Sequence, residues 1–254
     1  MGKSTVSSNL ALALQAAGHT VGLLDADIYG PSQGLMMGVA SGTKPEVTEN
    51  ALMPIIANGV QCMSMSFVAS DRTPAVWRGP MASGALQQLI TQTYWQNVDY
   101  LIVDMPPGTG DIQLTLSQNT ALAGAVIVTT PQDIALLDAR KAIEMFRKVQ
   151  VPILGVVENM STHTCSQCGH EEAIFGEGGG LSIAEEYQVD LLGKLPLSLA
   201  VRQQSDGGKP TVMSEPDGPA AKSFKEIAAK VDEKMMELTN SAANKGPTIQ
   251  ILDD

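Results

Sequence analysis

The stretch GKST at residues 2–5 is followed at once by apolar residues at helical spacing, Val6, Leu10 and Ala13, and Gly18 marks the end of that helical pattern. A lysine and a hydroxyl residue behind a glycine at a helix N-terminus form the second half of a P-loop. In such a loop backbone N–H groups hold phosphate, the lysine adds positive charge and a hydroxyl binds Mg²⁺. Four residues alone are weak evidence, so the rest of the chain has to support this interpretation. The predicted phosphate ligands are Gly2, Lys3, Ser4 and Thr5, and Ser4 is also predicted to bind Mg²⁺.

Short apolar and β-branched runs alternate with stretches of helical spacing along the remaining chain, which is the pattern of an α/β protein. The runs at residues 101–103 and 125–128 are wholly apolar, as strands buried on both faces of a parallel sheet require. We therefore expect an α/β fold of the P-loop NTPase type, in which a parallel β-sheet is covered by helices on both faces. Strands are predicted at residues 21–24, 60–65, 100–103, 125–129, 153–157 and 191–195.

The chain has 254 residues, which is ample for a large core without a disulfide or a structural metal. It shows no internal repeat and no low-complexity linker, so we expect one domain over residues 1–239. A looser insertion rich in Gly, Pro, Ser and Asn is predicted around residues 30–59, and a flexible tail over residues 240–254.

Acidic side chains outnumber basic ones by 27 to 16, which gives a formal net charge of −11 at pH 7. A surface of this sign repels phosphate backbones and anionic lipid, so we expect neither a nucleic acid nor a membrane as partner. No apolar run approaches the roughly 20 residues that a membrane helix needs, and the first residues lack the apolar stretch of a signal peptide. A cytoplasmic location is therefore expected.

Carboxylates follow two of the predicted strands at their C-terminal ends. Asp104 ends the run at residues 101–103, and Asp25 and Asp27 follow the strand at residues 21–24. Because the C-terminal ends of parallel strands share one edge of the sheet, these carboxylates are expected beside the phosphate site. Asp104 is predicted to act near Mg²⁺, and Asp27 to orient an attacking water.

The loop PPGTGD at residues 106–111 comes soon after Asp104. Its glycines allow the backbone to move, and Gly108 is predicted to sense the γ-phosphate through the backbone and to shift when the phosphate leaves. The phosphate loop, the carboxylates and this glycine loop occur together and in order. Their coincidence turns the weak motif at residues 2–5 into a strong prediction of a nucleotide site.

The cysteine pair Cys165 and Cys168 lies in a predicted loop, and two thiolates cannot complete a site of four ligands. Cys62 lies on a predicted strand and is better explained as a small buried side chain. The two missing ligands can come from a second copy of the chain, around a bridging [4Fe-4S] cluster, or from His163 and His170 of the same chain, around Zn²⁺. A dithiol redox switch is a third possibility.

Several longer motifs make the chain similar to the Mrp (ApbC) family of iron-sulfur carrier ATPases, which are relatives of MinD and the nitrogenase iron protein. The similarity runs from residue 2 to about residue 238. Its marks are DADIYGPS (25–32), WRGP (77–80), DMPPGTGD (104–111), PQD (131–133), ENM (158–160) and FGEGGG (175–180).

The resemblance implies an ATP-dependent carrier that binds a [4Fe-4S] cluster between two subunits of a homodimer and passes it to apo iron-sulfur client proteins. A zinc-stabilised P-loop ATPase that acts as a positioning or assembly scaffold is the alternative. Members of the family start their nucleotide loop with several glycines behind a central strand, so a first central strand is expected to be missing from this chain. The implied site residues are Lys3, Ser4 and Thr5 for phosphate and Mg²⁺, Asp27 with Lys3 for hydrolysis, Asp104 for the Mg²⁺ surroundings, Asn159 for adenine, and Cys165 with Cys168 for the cluster.

Overall fold

The computed structural model describes residues 2–48, 51–68, 79–108, 110–165 and 167–244, which form ten helices and nine strands. The helices are α1 (Lys3–Ala16), α2 (Gln33–Met36), α3 (Met65–Val68), α4 (Gly79–Gln92), α5 (Asp111–Asn119), α6 (Asp133–Lys148), α7 (Gly179–Tyr187), α8 (Leu199–Asp206), α9 (Thr211–Ser214) and α10 (Pro219–Asn244). The strands are β1 (Val21–Asp25), β2 (Ile55–Ala57), β3 (Val60–Ser64), β4 (Tyr100–Asp104), β5 (Ala125–Thr129), β6 (Ile153–Glu158), β7 (His163–Thr164), β8 (Glu171–Glu172) and β9 (Leu191–Lys194).

Two sheets carry the fold among the described residues. The first has the strand order β2-β3-β1-β4, in which β3, β1 and β4 are parallel and β2 is antiparallel. The second has the order β5-β6-β9 and is parallel throughout. In the first sheet the last residues of β1 and β4 are register partners, so Asp25 lies opposite Asp104. The sheet thus brings two of the predicted carboxylates to one edge.

Helices pack against these sheets in two apolar cores. One core takes side chains from both sheets and from α1 and α10, including Leu14, Leu24, Leu192 and Ile227. The other lies between the second sheet and α6 and α7, around Ile143. Burying a side chain of this size contributes about 1.5–3 kcal/mol, so these two clusters account for much of the folding free energy. The helix-covered α/β fold predicted from the sequence is confirmed.

The predicted strands all occur, with ends that differ by about one residue. The strand predicted at residues 60–65 ends at Ser64, because Met65 already begins α3. The predicted parallel pairing is confirmed in both main sheets, except that β2 runs antiparallel to β3. Asn58 and Gly59 cause the reversal, since both have positive φ and link β2 to β3 in a two-residue hairpin turn.

The predicted looser insertion at residues 30–59 contains α2 and β2. At the C-terminal end, α10 crosses the predicted boundary at residue 239 and ends at Asn244, while residues 245–254 lie outside the described part of the chain. Trp77, Arg78 and Thr109, which belong to two of the quoted motifs, also lie outside it. The missing first strand stays a prediction.

Candidate nucleotide site and cysteine hairpin

The N-terminus of α1 has the form of an anion site. Gly2 adopts a left-handed conformation, with φ of 78°, directly before the helix, and no side chain caps the helix. A Cβ at Gly2 would overlap the side-chain amide of Asn159, which follows β6. Lys3 is half-buried in the first turn. The uncapped N–H groups, the helix dipole and the lysine charge together favour a bound phosphate here, and Asn159 lies within reach of the same place.

Asp104 lies at the end of β4 and is buried beside α1. Its Oδ1 accepts a hydrogen bond from the Ser7 hydroxyl at 3.1 Å, and its Oδ2 accepts one from Nε2 of Gln33 at 2.8 Å. Burial raises the pKa of Asp104 above its ordinary value, and the bonds from Gln33, Ser4 and Ser7 and the charge of Lys3 partly oppose that rise. A carboxylate and the Ser4 hydroxyl therefore meet at the start of α1.

Asp25 organises the segment that carries Asp27. Its carboxylate accepts hydrogen bonds from the backbone N–H groups of Asp27 at 3.1 Å, Ser32 at 2.8 Å and Gln33 at 2.9 Å, and one from the Ser64 hydroxyl at 3.2 Å. Burial raises the pKa of Asp25 to about 6, and the negative charge of Asp104 adds to this rise. The hydrogen bonds from the backbone N–H groups lower the pKa and partly oppose it. Asp25 is therefore a buried anchor, and Asp27 is the partly exposed carboxylate of this segment.

Gln33 connects this segment to the rest of the site. Its side chain is 1% exposed, and its Nε2 donates both to the Ser4 carbonyl at 3.0 Å and to Asp104 at 2.8 Å. The Asp27 segment, the first turn of α1 and the end of β4 are thus linked through one amide group.

The loop after Asp104 is held by a second glutamine. Nε2 of Gln113, in the first turns of α5, donates to the carbonyls of Pro106, Pro107 and Gly108 at 3.0, 3.0 and 2.8 Å. Gly108 is exposed and left-handed, with φ of 90°. Neither Gln33 nor Gln113 is predicted from the sequence, because their acceptors are a carboxylate and carbonyls that only the folded chain brings within reach.

Glu158, at the end of β6, positions the glycine-rich segment 176–180. The Gly180 N–H donates to Glu158 Oε2 at 2.6 Å, and Lys194 lies 3.7 Å from the other carboxylate oxygen. A Cβ at Gly180 would come within 2.8 Å of the Glu158 Cβ, so glycine is required for this approach. The motif at residues 175–180 therefore packs directly beside the segment that carries Asn159.

Cys165 and Cys168 lie in the turn between the short antiparallel strands β7 and β8. The turn is closed by two bonds of 2.9 Å, from the Cys165 N–H to the His170 carbonyl and from the Gly169 N–H to the Cys165 carbonyl. Cys168 is exposed and Cys165 half-exposed, and both are free thiols. Backbone N–H groups of Gln167 and Cys168 bond the Cys165 sulfur and lower its pKa, and the Cys168 thiol bonds it as well. The two sulfurs therefore face one another in a turn that favours thiolate.

The single-chain zinc site is not formed in the described residues. His163 donates from Nδ1 to the Leu197 carbonyl at 3.1 Å, which ties its ring to the segment after β9. Across the part of the chain that the structure describes, no three His, Cys, Asp or Glu side chains converge as a metal site. Cys62 is buried in β3, where burial raises its pKa to about 12, as a packed side chain would be.

The structure thus brings the predicted nucleotide residues into one region and leaves the cysteines in another. Strand register and hydrogen bonds connect the first turn of α1 to Asp104, Asp25 and the Asp27 segment. The residues from Asn159 to Cys165 run from this region to the hairpin. The individual catalytic and ligand roles of these residues stay predictions.

A family model described as ParA, NUBPL iron-transfer P-loop NTPase, matches residues 1–232. The chain belongs to this P-loop NTPase family. The iron-sulfur cluster carrier protein of Pseudomonas fragi is 60% identical over 229 residues, covering 90% of this chain and 80% of that protein. The protein of the same name from Escherichia coli K12 is 53% identical, over 91% of this chain and 63% of its own length. The mouse iron-sulfur cluster transfer protein NUBPL is 50% identical, over 91% and 73%.

Solved structures agree with membership of the P-loop NTPase family. A nucleotide-binding protein from Archaeoglobus fulgidus, in complex with ADP, aligns with a TM-score of 0.75 at 34% identity, over 88% of this chain and 86% of that one. The cell division ATPase MinD of Pyrococcus furiosus aligns with a TM-score of 0.69 at 23% identity, over 91% and 93%, which shows a shared fold. No helix in the described ranges of this P-loop NTPase is both long and apolar enough to cross a bilayer.

Proposed function

We propose that this P-loop NTPase is an ATP-dependent iron-sulfur cluster carrier, which holds a [4Fe-4S] cluster between two copies of the chain and passes it to apo-proteins. The observation that carries the proposal is the hairpin with two free, accessible thiols facing one another and no further ligand beside them in the described residues. The names of the 50–60% identical relatives support it. The scaffold alternative has no comparable support.

Ligand counting favours the dimer. A [4Fe-4S] cluster takes four cysteine thiolates, and one hairpin supplies Cys165 and Cys168. Two hairpins related by a two-fold axis supply the full set, and the thiols can meet because Cys168 is exposed and Cys165 half-exposed. The lowered pKa of Cys165 favours the thiolate that iron binds. An accessible cluster shared between chains is also easily released to an acceptor with a complete ligand set.

Hydrolysis of ATP is assigned to the edge formed by α1, β1 and β4. Lys3 and the first N–H groups of α1 bind phosphate, and Asn159 contacts the adenine. The Ser4 hydroxyl and the Asp104 carboxylate are oxygen ligands of the type that Mg²⁺ prefers, so the residues present fit this ion. When bound, Mg²⁺ neutralises phosphate charge. Asp27, held by the Asp25 anchor, orients the attacking water.

Two strand edges bear on nucleotide affinity. β4 forms one edge of the first sheet and β5 one edge of the second, and the apolar side chains of Leu101, Ile102 and Val103 are only half-buried. We propose that a strand supplied ahead of Gly2 would pair there and complete the phosphate loop. A chain extended by a strand and a glycine-rich turn should then bind Mg²⁺·ATP more tightly than the 254-residue chain, and equal affinity in titrations would contradict this.

Cluster transfer tests the proposed function. The reconstituted protein is mixed anaerobically with an apo-ferredoxin of the four-iron class, with and without Mg²⁺·ATP, and acceptor iron is followed by absorption and iron analysis. We expect the acceptor to gain four irons, at a rate that depends on ATP. The Lys3→Ala variant should load the cluster and lose the ATP dependence, whereas Lys209→Ala, remote in sequence from the phosphate loop, should behave like the wild type. Failure to transfer at all would overturn the carrier function.

A further inference from the structure

The side chain of Gln113 donates hydrogen bonds to three successive carbonyl groups of the loop that follows Asp104. It is 4% exposed, and its Nε2 lies 3.0, 3.0 and 2.8 Å from the carbonyl oxygens of Pro106, Pro107 and Gly108. A side-chain amide has two N–H donors, so at least one of them is shared between two acceptors. This arrangement fixes the backbone of the loop against the start of α5.

The direction of these carbonyls decides where the loop presents its N–H groups. In a planar trans peptide the C=O and N–H bonds point in opposite directions. Since the Pro107 carbonyl points at Gln113, the Gly108 N–H points away from it. Gly108 is exposed and has φ of 90°, and no atom of the described residues beyond its chain neighbours lies within 4 Å of where its Cβ would be, so the loop is open at this residue. Pro106 and Pro107 have no N–H, so Gly108 is the first residue of the loop at residues 106–111 that carries a backbone donor.

We propose that Gln113 is a positioning residue for the nucleotide reaction: it orients the Gly108 N–H outward as a donor for the terminal phosphate of ATP. This role rests on the proposed ATP hydrolysis and assigns Gln113 no contact with substrate. A preoriented N–H costs no reorganisation when charge develops on the phosphate oxygens. Loss of the amide would leave the three carbonyls without their common donor and release the peptide planes between residues 106 and 108.

A purely structural role makes a different prediction, because a weaker fold would reduce the affinity for every nucleotide alike. ADP lacks the terminal phosphate, so a positioning role reduces the affinity for an ATP analogue and spares the affinity for ADP. The substitution Gln113→Met removes the donor and keeps the length of the side chain. Gln61→Met is the matched control, because Gln61 is also buried and bonds the Gln96 backbone at 2.7 and 2.8 Å at the opposite end of β3.

The experiment measures the Kd of Mg²⁺·ADP and of a non-hydrolysable Mg²⁺·ATP analogue by calorimetry, together with hydrogen exchange of residues 105–110. For Gln113→Met we expect about tenfold weaker analogue binding, an ADP affinity within threefold of the wild type, and faster exchange in the loop. Gln61→Met should match the wild type in all three. Equal losses for both nucleotides, or unchanged analogue binding and exchange, would overturn the proposal. A wild-type chain that binds neither nucleotide would overturn the proposed function itself, and that result does not depend on any variant.

Discussion

The nucleotide edge and the cysteine hairpin differ in how much of each site one chain assembles. At the nucleotide edge, Asp104 and Asp25 are buried register partners whose oxygens accept hydrogen bonds from α1, α2 and β3. At the hairpin, two strands of two residues each hold a pair of exposed or half-exposed thiols. The first region gains its order from within the chain. The second offers two thiols, which are half the ligands of the cluster that we propose, and under that proposal its order comes from the metal and from another copy.

The largest effect should come from removing a cluster ligand. Cys165→Ala or Cys168→Ala should abolish iron and sulfide loading, since the two turns of a dimer would then supply two thiolates where the cluster takes four. Cys62→Ala is the matched control and should load normally, at some cost in packing around β3. His163→Ala and His170→Ala should change the iron content little. Anaerobic iron and sulfide analysis of all five variants checks this, and dependence on both histidines would instead restore the zinc interpretation.

A substitution at the nucleotide edge should affect the hydrolysis of ATP and leave the cysteine hairpin intact. We expect Asp27→Asn to reduce ATP hydrolysis by about 100-fold or more, with nucleotide affinity within threefold, because the carboxylate acts on the attacking water and not on binding. Lys3→Ala should lose phosphate affinity instead. Steady-state kinetics and titration separate the two effects, with Asp206→Asn on the exposed face of α8 as control. Unchanged hydrolysis in Asp27→Asn would remove this residue from the mechanism.

The buried anchor Asp25 should make folding stability depend on pH. Because its pKa is raised from 3.8 to about 6, the folded chain keeps a proton that the unfolded chain has released between those values. Its contribution to the free energy of unfolding is therefore complete below pH 4 and falls by up to about 3 kcal/mol as pH rises through 6. Relative to the wild type, Asp25→Asn should gain stability by that amount between pH 4 and 7 in urea unfolding. A difference that does not change with pH would contradict it.

A smaller effect is expected in cysteine reactivity. Hydrogen bonds from Gln167 and Cys168 lower the pKa of Cys165, whereas burial raises that of Cys62 to about 12. At pH 7 Cys165 should therefore react with iodoacetamide several-fold faster than a free cysteine, and Cys62 only after unfolding. Mass spectrometry of timed digests measures both rates in one sample. Equal rates for the two residues in the folded protein would be inconsistent with the structure.

The sequence predicted the strands and the acidic residues at the ends of two of them. The strands and the placement of Asp25 and Asp104 followed from apolar runs that stop at an acid, and β1–β4 pairing brings both together. Asn58-Gly59 is a strong hairpin signal that could have predicted β2.

The two buried glutamines and the cysteine hairpin could not be predicted from the sequence pattern. Gln33 and Gln113 act through acceptors whose proximity depends on tertiary structure, and one sequence gives no sign of it. β7 and β8 are too short to show a hydrophobic period. The hairpin was therefore predicted only as a loop bearing two thiols.

The central claim is that a cluster completes the hairpin by joining two chains. The most direct test is native mass measurement of the wild-type protein under anaerobic conditions, before and after loading with iron and sulfide. The account predicts that loading shifts the protein to a dimer with about four irons per two chains, and that chelation reverses the shift. A monomer that holds one zinc ion and takes up no iron would contradict it.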